Sequence, residues 1–338
     1  HPRVLRNEPL ARTFRRLQAH GADDFYRGGL ARDLVHDLQA AGSRIAHDDF
    51  AQYTATWTSP TTARFGNADV YVMPGLSGGP TLLRALELFG DAQRKGVDPY
   101  LATVDAIRSA YAERLATMGA GAPAESSTAH VSVVDGEGRM ASLTSTLLAR
   151  FGAKLTLPTT GIMMNNMMMW FDPRPAHPNA IRPGARPLAN MCPTIAVGDD
   201  GRRYALGAAG GRRIVPAVQQ LLRYLIVDGD DLATAGRKPR LDASGGTVDL
   251  DPRLLSAVRE QISAHTEVRV VADEIYPSPY AVASLAGWEP PANEALLSTP
   301  TTTGEAACVG VAHAGTPWPA AVGAAAFPGD AAIARRTS

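Results

Sequence analysis

A threonine at the start of a strand can supply both a nucleophile and its own base once its backbone nitrogen is freed. Thr128 stands at such a place. Before it runs Met118-Gly119-Ala120-Gly121-Ala122-Pro123-Ala124, a small-residue stretch that reads as a linker. After it, Ala129, Val131 and Val133 alternate with His130 and Ser132, the pattern of a half-buried strand. Cutting the Ser127–Thr128 bond would release an α-amine with a reference pKa of roughly 8. That amine can take the proton from the Thr128 hydroxyl, so one residue does the work of two. Position alone does not single it out, because β-branched residues are common at strand starts.

The surrounding segments do. Thr128-Ala129-His130-Val131-Ser132-Val133-Val134-Asp135 resembles the Thr-Thr-His-Tyr-Ser-Val-Val-Asp that opens the small subunit of γ-glutamyltranspeptidases. Gly161-Ile162-Met163-Met164-Asn165-Asn166 resembles Gly-Ile-Leu-Leu-Asn-Asn, and Arg186-Pro187-Leu188-Ala189-Asn190-Met191-Cys192-Pro193-Thr194 resembles Arg-Pro-Leu-Ser-Ser-Met-Ser-Pro-Thr. Gly207-Ala208-Ala209-Gly210-Gly211-Arg212-Arg213-Ile214 is similar to Gly-Ser-Pro-Gly-Gly-Ser-Arg-Ile. Upstream, the segments 21–28 and 78–83 resemble parts of the large subunit. The resemblance implies an α+β fold, the four-layer αββα sandwich of N-terminal-nucleophile hydrolases. It also implies autocatalytic cleavage before Thr128. Residues 1–127 would then be the end of a large-subunit-like segment and 128–338 a small-subunit-like segment, both within one interleaved domain.

The resemblance assigns roles residue by residue. Thr128 matches the nucleophile, and Thr146 a second threonine that hydrogen-bonds it. Gly210 and Gly211 match the oxyanion-hole glycines. Glycine suits that task because it allows close backbone approach and free choice of φ, so that N–H groups can face developing charge. The acyl pocket departs from the family. Polar family residues that hold the γ-glutamyl ammonium and carboxylate fall on Leu148, Met167, Trp170 and Ala189; only Asn190 keeps a polar side chain. Burying a zwitterion against apolar groups costs several kcal/mol, so the expected acyl group is less polar than γ-glutamyl. Met163 and Met164 are expected in the core, with the rest of the Met-rich run as an adaptable wall. His130 shares the Thr128 face of its strand but reads as a packed histidine, since an N-terminal nucleophile has its own base.

Composition narrows the partners. Lys plus Arg total 33 and Asp plus Glu total 33, a balance that argues against nucleic acid or anionic membrane. The eight histidines show no metal-ligand spacing, and no cofactor is implied. Two cysteines, Cys192 and Cys308, give no disulfide framework. The expected partners are a small-molecule amide and the protein's own cleaved segment as a heterodimer. The resemblance begins well inside the usual large subunit. It therefore also implies an N-terminal block, or another chain, that completes the sandwich and brings a carboxylate-gripping arginine. No signal peptide opens the sequence at His1, and both cytoplasmic and periplasmic placement stay open.

Periodicity predicts the elements that must position these residues. A helix is expected over 8–20 with Leu10, Phe14 and Leu17 on one stripe, and a second after Gly28-Gly29 to about Ala41. Further helices are expected at 48–53, 81–89, 99–117, 214–227 (amphipathic) and 254–262. Strands are expected at 70–73, 268–271, 280–283 and 308–311, with hairpins joining 131–134 to 140–147 and 194–197 to 203–206. Pro- and Arg-rich 171–186 reads as an ordered loop. Two rivals stay open beside the preferred reading: an authentic γ-glutamyl hydrolase, and an uncleaved binding or scaffold protein.

Overall fold

The structure, a computed structural model, describes residues 6–119, 128–273, 279–290 and 307–312. Of the expected linker, Met118 and Gly119 close the helix Pro99–Thr117, and the rest falls within residues 120–127, which lie outside the described residues. The chain forms two compact units, 1–58 with 147–167, and 59–146 with 168–338. Among the described residues no helix is long and apolar enough to cross a membrane.

The first unit packs four helices, α1 (Glu8–His20), α2 (Ala22–Tyr26), α3 (Gly29–Ala40) and α4 (His47–Ala51), with the segment 147–167. Asn7 caps α1: its Oδ1 accepts from the Leu10 N–H at 3.1 Å while its Nδ2 donates to the Gly161 carbonyl at 2.9 Å. Leu30, Leu34 and Leu38 on α3 close over Leu157, with Ile162 and Met164 at the edge. Two expectations fail here. Phe14 is 61% exposed. Thr13 takes the inward position instead, because its hydroxyl donates to the Thr160 carbonyl at 2.8 Å and fixes the rotation of α1. Met163 is exposed while Met164 packs inward, as alternation along an extended segment requires.

The second unit holds a six-stranded antiparallel sheet. Its strands are β1 (Thr61–Phe65), β2 (Ala68–Val72), β5 (Thr194–Gly198), β6 (Arg203–Ala209), β10 (Val282–Glu289) and β11 (Ala307–Ala312), hydrogen-bonded in that order. Strand β1 escapes the sequence reading because Thr61-Thr62-Ala63-Arg64 carries no apolar alternation. It pairs with β2 across Gly66-Asn67, where φ of 54° at Gly66 makes the tight turn. Helices α5 (Gly79–Arg94), α6 (Pro99–Thr117) and α7 (Ile214–Leu222) share one core with the sheet. Asp98 fixes the start of α6 by accepting from the Tyr100 and Leu101 N–H groups. α7 runs on into one wide turn, Arg223–Val227. Its expected polar stripe does not face solvent: Gln219 and Gln220 are buried as well. Every residue of α7 is buried, since it lies between the sheet and α5. A smaller sheet, β7 (Leu241–Asp242), β8 (Val248–Leu250) and β9 (Val268–Val270), and helices α8 (Leu232–Arg237) and α9 (Ser256–His265) complete this unit.

The hairpin of β3 (Thr128–Val134) and β4 (Met140–Thr146) packs onto β6 and β10 and forms a second β layer. Its alternation is as expected, but the faces are reversed. Val131, Val133 and Leu143 point outward, Leu143 being 63% exposed. The inward face carries Thr128, His130, Ser132, Ser142 and Thr144. These polar groups stay inside because the opposing backbone offers them partners: Ser132 Oγ donates to the Ser284 carbonyl and Ser142 Oγ to the Leu206 carbonyl, each at 3.0 Å. Ser142 Oγ also accepts from the Thr194 N–H at 3.1 Å. His130 bonds Thr144 Oγ1 through Nδ1 at 2.8 Å and Ser132 Oγ through Nε2 at 3.1 Å. Its ring lies against Gly207, whose missing Cβ leaves the space.

Gly207→Ala should therefore destabilise the protein by about 1–3 kcal/mol, as overpacking does, because the new methyl overlaps a ring held by two hydrogen bonds. Chemical denaturation of both proteins measures it. A second expectation concerns pH. Burial holds the His130 pKa down to about 4, from an ordinary value of 6.5. Between those values the unfolded chain binds the extra proton. Stability is thus full above about pH 6.5 and falls as pH drops toward 4. Titration of the His130 ring by NMR, alongside melting curves across that range, checks the shift; a ring that titrates at its ordinary value contradicts it.

Candidate active site

The hairpin register places Thr128 directly opposite Thr146. Both side chains are half-buried on the inward face. Thr128 Oγ1 donates to Thr146 Oγ1 at 3.3 Å, a long but direct contact between hydroxyls. Cross-strand pairing thus joins residues eighteen positions apart, the pair that the resemblance names as nucleophile and partner. His130 shares their face, yet its ring nitrogens are taken up by Thr144 and Ser132, and burial keeps it neutral.

Gly210 and Gly211 follow β6, the strand on which the hairpin packs. Gly210 has φ 157° and Gly211 φ 61°, conformations that side chains disfavour. A Cβ on Gly210 would also stand 2.6 Å from the Ala281 Cβ. The chain then makes a short turn, Gly211–Arg213, and enters α7. The helix start carries positive partial charge and unpaired N–H groups, which favour an anion. The Tyr111 hydroxyl on α6 donates to the Arg212 carbonyl, and Arg212 Nη2 donates to the Ser244 carbonyl at 3.0 Å, so the turn is held from two sides.

The segment 188–192 is anchored to the start of α5. The Ala189 N–H donates to the Leu76 carbonyl at 2.8 Å and the Gly78 N–H to the Met191 carbonyl at 2.9 Å. A Cβ on Gly78 would press on the Asn190 carbonyl, Cys192 and Val215 together, so this segment, the start of α5 and the start of α7 meet at one point. Cys192 itself is wholly buried, with its thiol pushed up to about 12 by loss of water. Asn190 is half-buried, and its Oδ1 accepts from Arg114 Nη2 at 3.1 Å.

The other expected pocket residues are placed separately. Leu148 belongs to the first unit, is 2% exposed and has φ 74°. Such a backbone is rare for a bulky residue and must be imposed by its surroundings. Asn166 does so: its N–H donates to the Leu147 carbonyl at 3.1 Å and its Oδ1 accepts from the Ala149 N–H at 2.9 Å. Met167 ends the first unit, half-buried. Trp170 is buried in the second, where its carbonyl accepts from Asn179 Nδ2 at 2.5 Å. The structure therefore brings Thr128 to Thr146, and the start of α7 to the loop of Ala189 and Asn190.

Sequence reasoning passed over Tyr111 and Arg114. Both lie on α6 and both grip these loops. A signal was present: Ile107, Ala110, Tyr111 and Arg114 fall on one helical stripe, so Arg114 sits where an apolar residue would be expected. Among the described residues no group of three or more His, Cys, Asp or Glu is arranged to hold a metal ion.

Comparison with known proteins follows the same lines. The chain is 29% identical over 287 residues to the glutathione hydrolase proenzyme of Escherichia coli K12, covering 68% of this chain and 50% of that protein. It is 29% identical over 303 residues to the acylase ACY 1 proenzyme of Pseudomonas sp. strain SE83, covering 77% and 54%. The chain thus spans about half the length of the curated relatives it matches. Among solved structures, the cephalosporin acylase from Bacillus halodurans superposes with a TM-score of 0.78 at 21% identity, over 96% of this chain and 64% of that one. That likeness shows the fold, the α+β sandwich of N-terminal-nucleophile hydrolases. The family model described as gamma-glutamyltranspeptidase matches residues 2–121 and 119–284. The chain belongs to the γ-glutamyltranspeptidase family.

Proposed function

We propose that this chain carries the catalytic centre of an autoprocessed N-terminal-threonine amidohydrolase or acyltransferase. The observation that carries the reading is Thr128, first residue of β3, with its hydroxyl on Thr146. Cleavage of the Ser127–Thr128 bond frees the α-amine. The amine takes the Thr128 hydroxyl proton as Oγ1 attacks the carbonyl carbon of an amide. The oxyanion forms against the N–H groups of Gly210 and Gly211. The C–N bond then breaks, the leaving amine takes the proton, and an ester remains on Thr128. Water, or another amine, releases the acyl group by the same steps in reverse order. The names of the relatives, glutathione hydrolase and acylase, agree with amide cleavage through such a centre.

The acyl group is read from the substitutions. Leu148, Met167, Trp170 and Ala189 offer no partner to a γ-glutamyl ammonium, whereas Asn190 offers a hydrogen-bonding amide. An acyl donor without the α-amine suits these residues better. The relatives called glutathione hydrolase support a second reading, hydrolysis of γ-glutamyl amides through other contacts.

Three measurements on the full-length protein test the proposal. Intact mass should show two chains, one beginning at Thr128, and Thr128→Ala should remain a single chain. A wild type that stays whole contradicts autoprocessing and favours a scaffold role. Gly211→Ala should lower kcat on the order of a hundredfold, since φ at Gly211 disfavours a side chain; an unchanged rate in a folded protein removes the oxyanion assignment. Finally, kcat/KM for a glutaryl anilide should exceed that for the γ-glutamyl anilide. A tenfold preference for γ-glutamyl, about 1.4 kcal/mol, would install the second reading.

A further inference from the structure

Arg114 is a buried cation whose bonds all go to neutral oxygens. It lies on α6 at 5% exposure, and among the described residues no carboxylate stands within ion-pairing distance of it. Nη1 donates to the Ser77 carbonyl at 2.9 Å and to Thr81 Oγ1 at 3.0 Å. Nη2 donates to the Ala189 carbonyl at 2.6 Å and to Asn190 Oδ1 at 3.1 Å. One helical turn earlier, Tyr111 holds the Arg212 carbonyl beside Gly211. A buried charge without a counter-charge is expensive, and an apolar residue would fill this helix position at less cost. What the guanidinium supplies that a methionine would not is direction. It has five donors and no acceptor, so only the oxygen of the Asn190 amide can face it. The amide is thereby locked, and Nδ2, a donor, is the end left for a ligand.

We propose that Arg114 is a positioning residue. By holding Asn190 Oδ1 it presents Asn190 Nδ2 to the acyl group, and the site thereby prefers acyl groups that end in a carboxylate over neutral ones of the same length. The uncompensated positive charge behind Asn190 favours the same choice. This rests on the reading that Asn190 belongs to the acyl-binding site. It also means that a residue upstream of the Ser127–Thr128 bond orders a loop downstream of it.

The test uses the two hydrolysis products as ligands, so that it does not depend on turnover. Calorimetry on the full-length protein measures glutarate, which has a second carboxylate, against pentanoate, which lacks it. Wild type should bind glutarate at least about tenfold more tightly, the worth of a hydrogen bond to a charged group. Arg114→Met should abolish that ratio while pentanoate affinity changes little. Asn190→Asp should reverse the ratio, because its carboxylate repels the ligand, yet its melting temperature should not fall, because it gives Arg114 a counter-charge. Lack of a glutarate preference in wild type overturns the proposal, as does a folded Arg114→Met protein with its ratio intact or with both ligands weakened alike. If Arg114→Met fails to fold, an unchanged ratio in Asn190→Asp overturns it. Anilide turnover is scored separately. A wild type that binds the products with the expected ratio but cleaves nothing defeats the proposed function and leaves this inference standing.

Discussion

The hydroxyl-to-backbone contacts between the β3–β4 hairpin and the six-stranded sheet are the constraint on which the site depends. A two-stranded hairpin is marginal by itself. This one is held face-on by Ser132 to the Ser284 carbonyl, Ser142 to the Leu206 carbonyl, and the Thr194 N–H to Ser142. Each buried hydroxyl has a partner, so the layer gains direction without leaving unsatisfied groups. Apolar packing would hold the two sheets together but would let one slide on the other. Hydrogen bonds between fixed atoms set a register. Thr128 inherits its place from that register, since it lies four residues before Ser132 on the same face.

The same constraint explains why His130 is where it is. Its ring occupies the gap over Gly207 and bonds Thr144 and Ser132, so it works as a spacer in a polar layer. A histidine that had to accept a proton here would need water or a carboxylate nearby, and burial instead holds it neutral. The reversed hairpin faces follow as well. The polar side chains turn inward because backbone carbonyls await them, and Val131, Val133 and Leu143 are left outward.

Helix α6 does for the loops what the polar layer does for the hairpin. Loops carry functional residues but need rigid elements to place them. Tyr111 and Arg114, one turn apart on a helix capped by Asp98, reach the turn after Gly210-Gly211 and the segment of Ala189 and Asn190. The glycines supply the allowed backbone; the helix supplies the position. Gly78 then brings that segment against the start of α7.

Much of this was legible in the residue order. The alternation that begins at Ala129 and the boundaries of α6 at Pro99 and Thr117 follow from local chemistry, since alternation and capping are properties of near neighbours; Thr128 and the Gly210-Gly211 pair stood out through the family resemblance of the segments around them. The failures share one cause. Phe14 lost the inward position to Thr13 because of a carbonyl on Thr160, and α7 is buried all round because α5 and the sheet cover both its sides. Whether the apolar or the polar face of β3 turns inward depends on what waits across the gap, and period two is the same either way. The place of Arg114 on the apolar stripe of α6 marks it as inward-facing, but its partner Ala189 arrives from seventy-five positions away. Residue order and the family resemblance of its segments named the candidate residues, and periodicity drew most of the elements that carry them. Tertiary structure decided which face each element buries and which side chain holds which loop, because those choices are settled by hydrogen-bond partners distant in the chain.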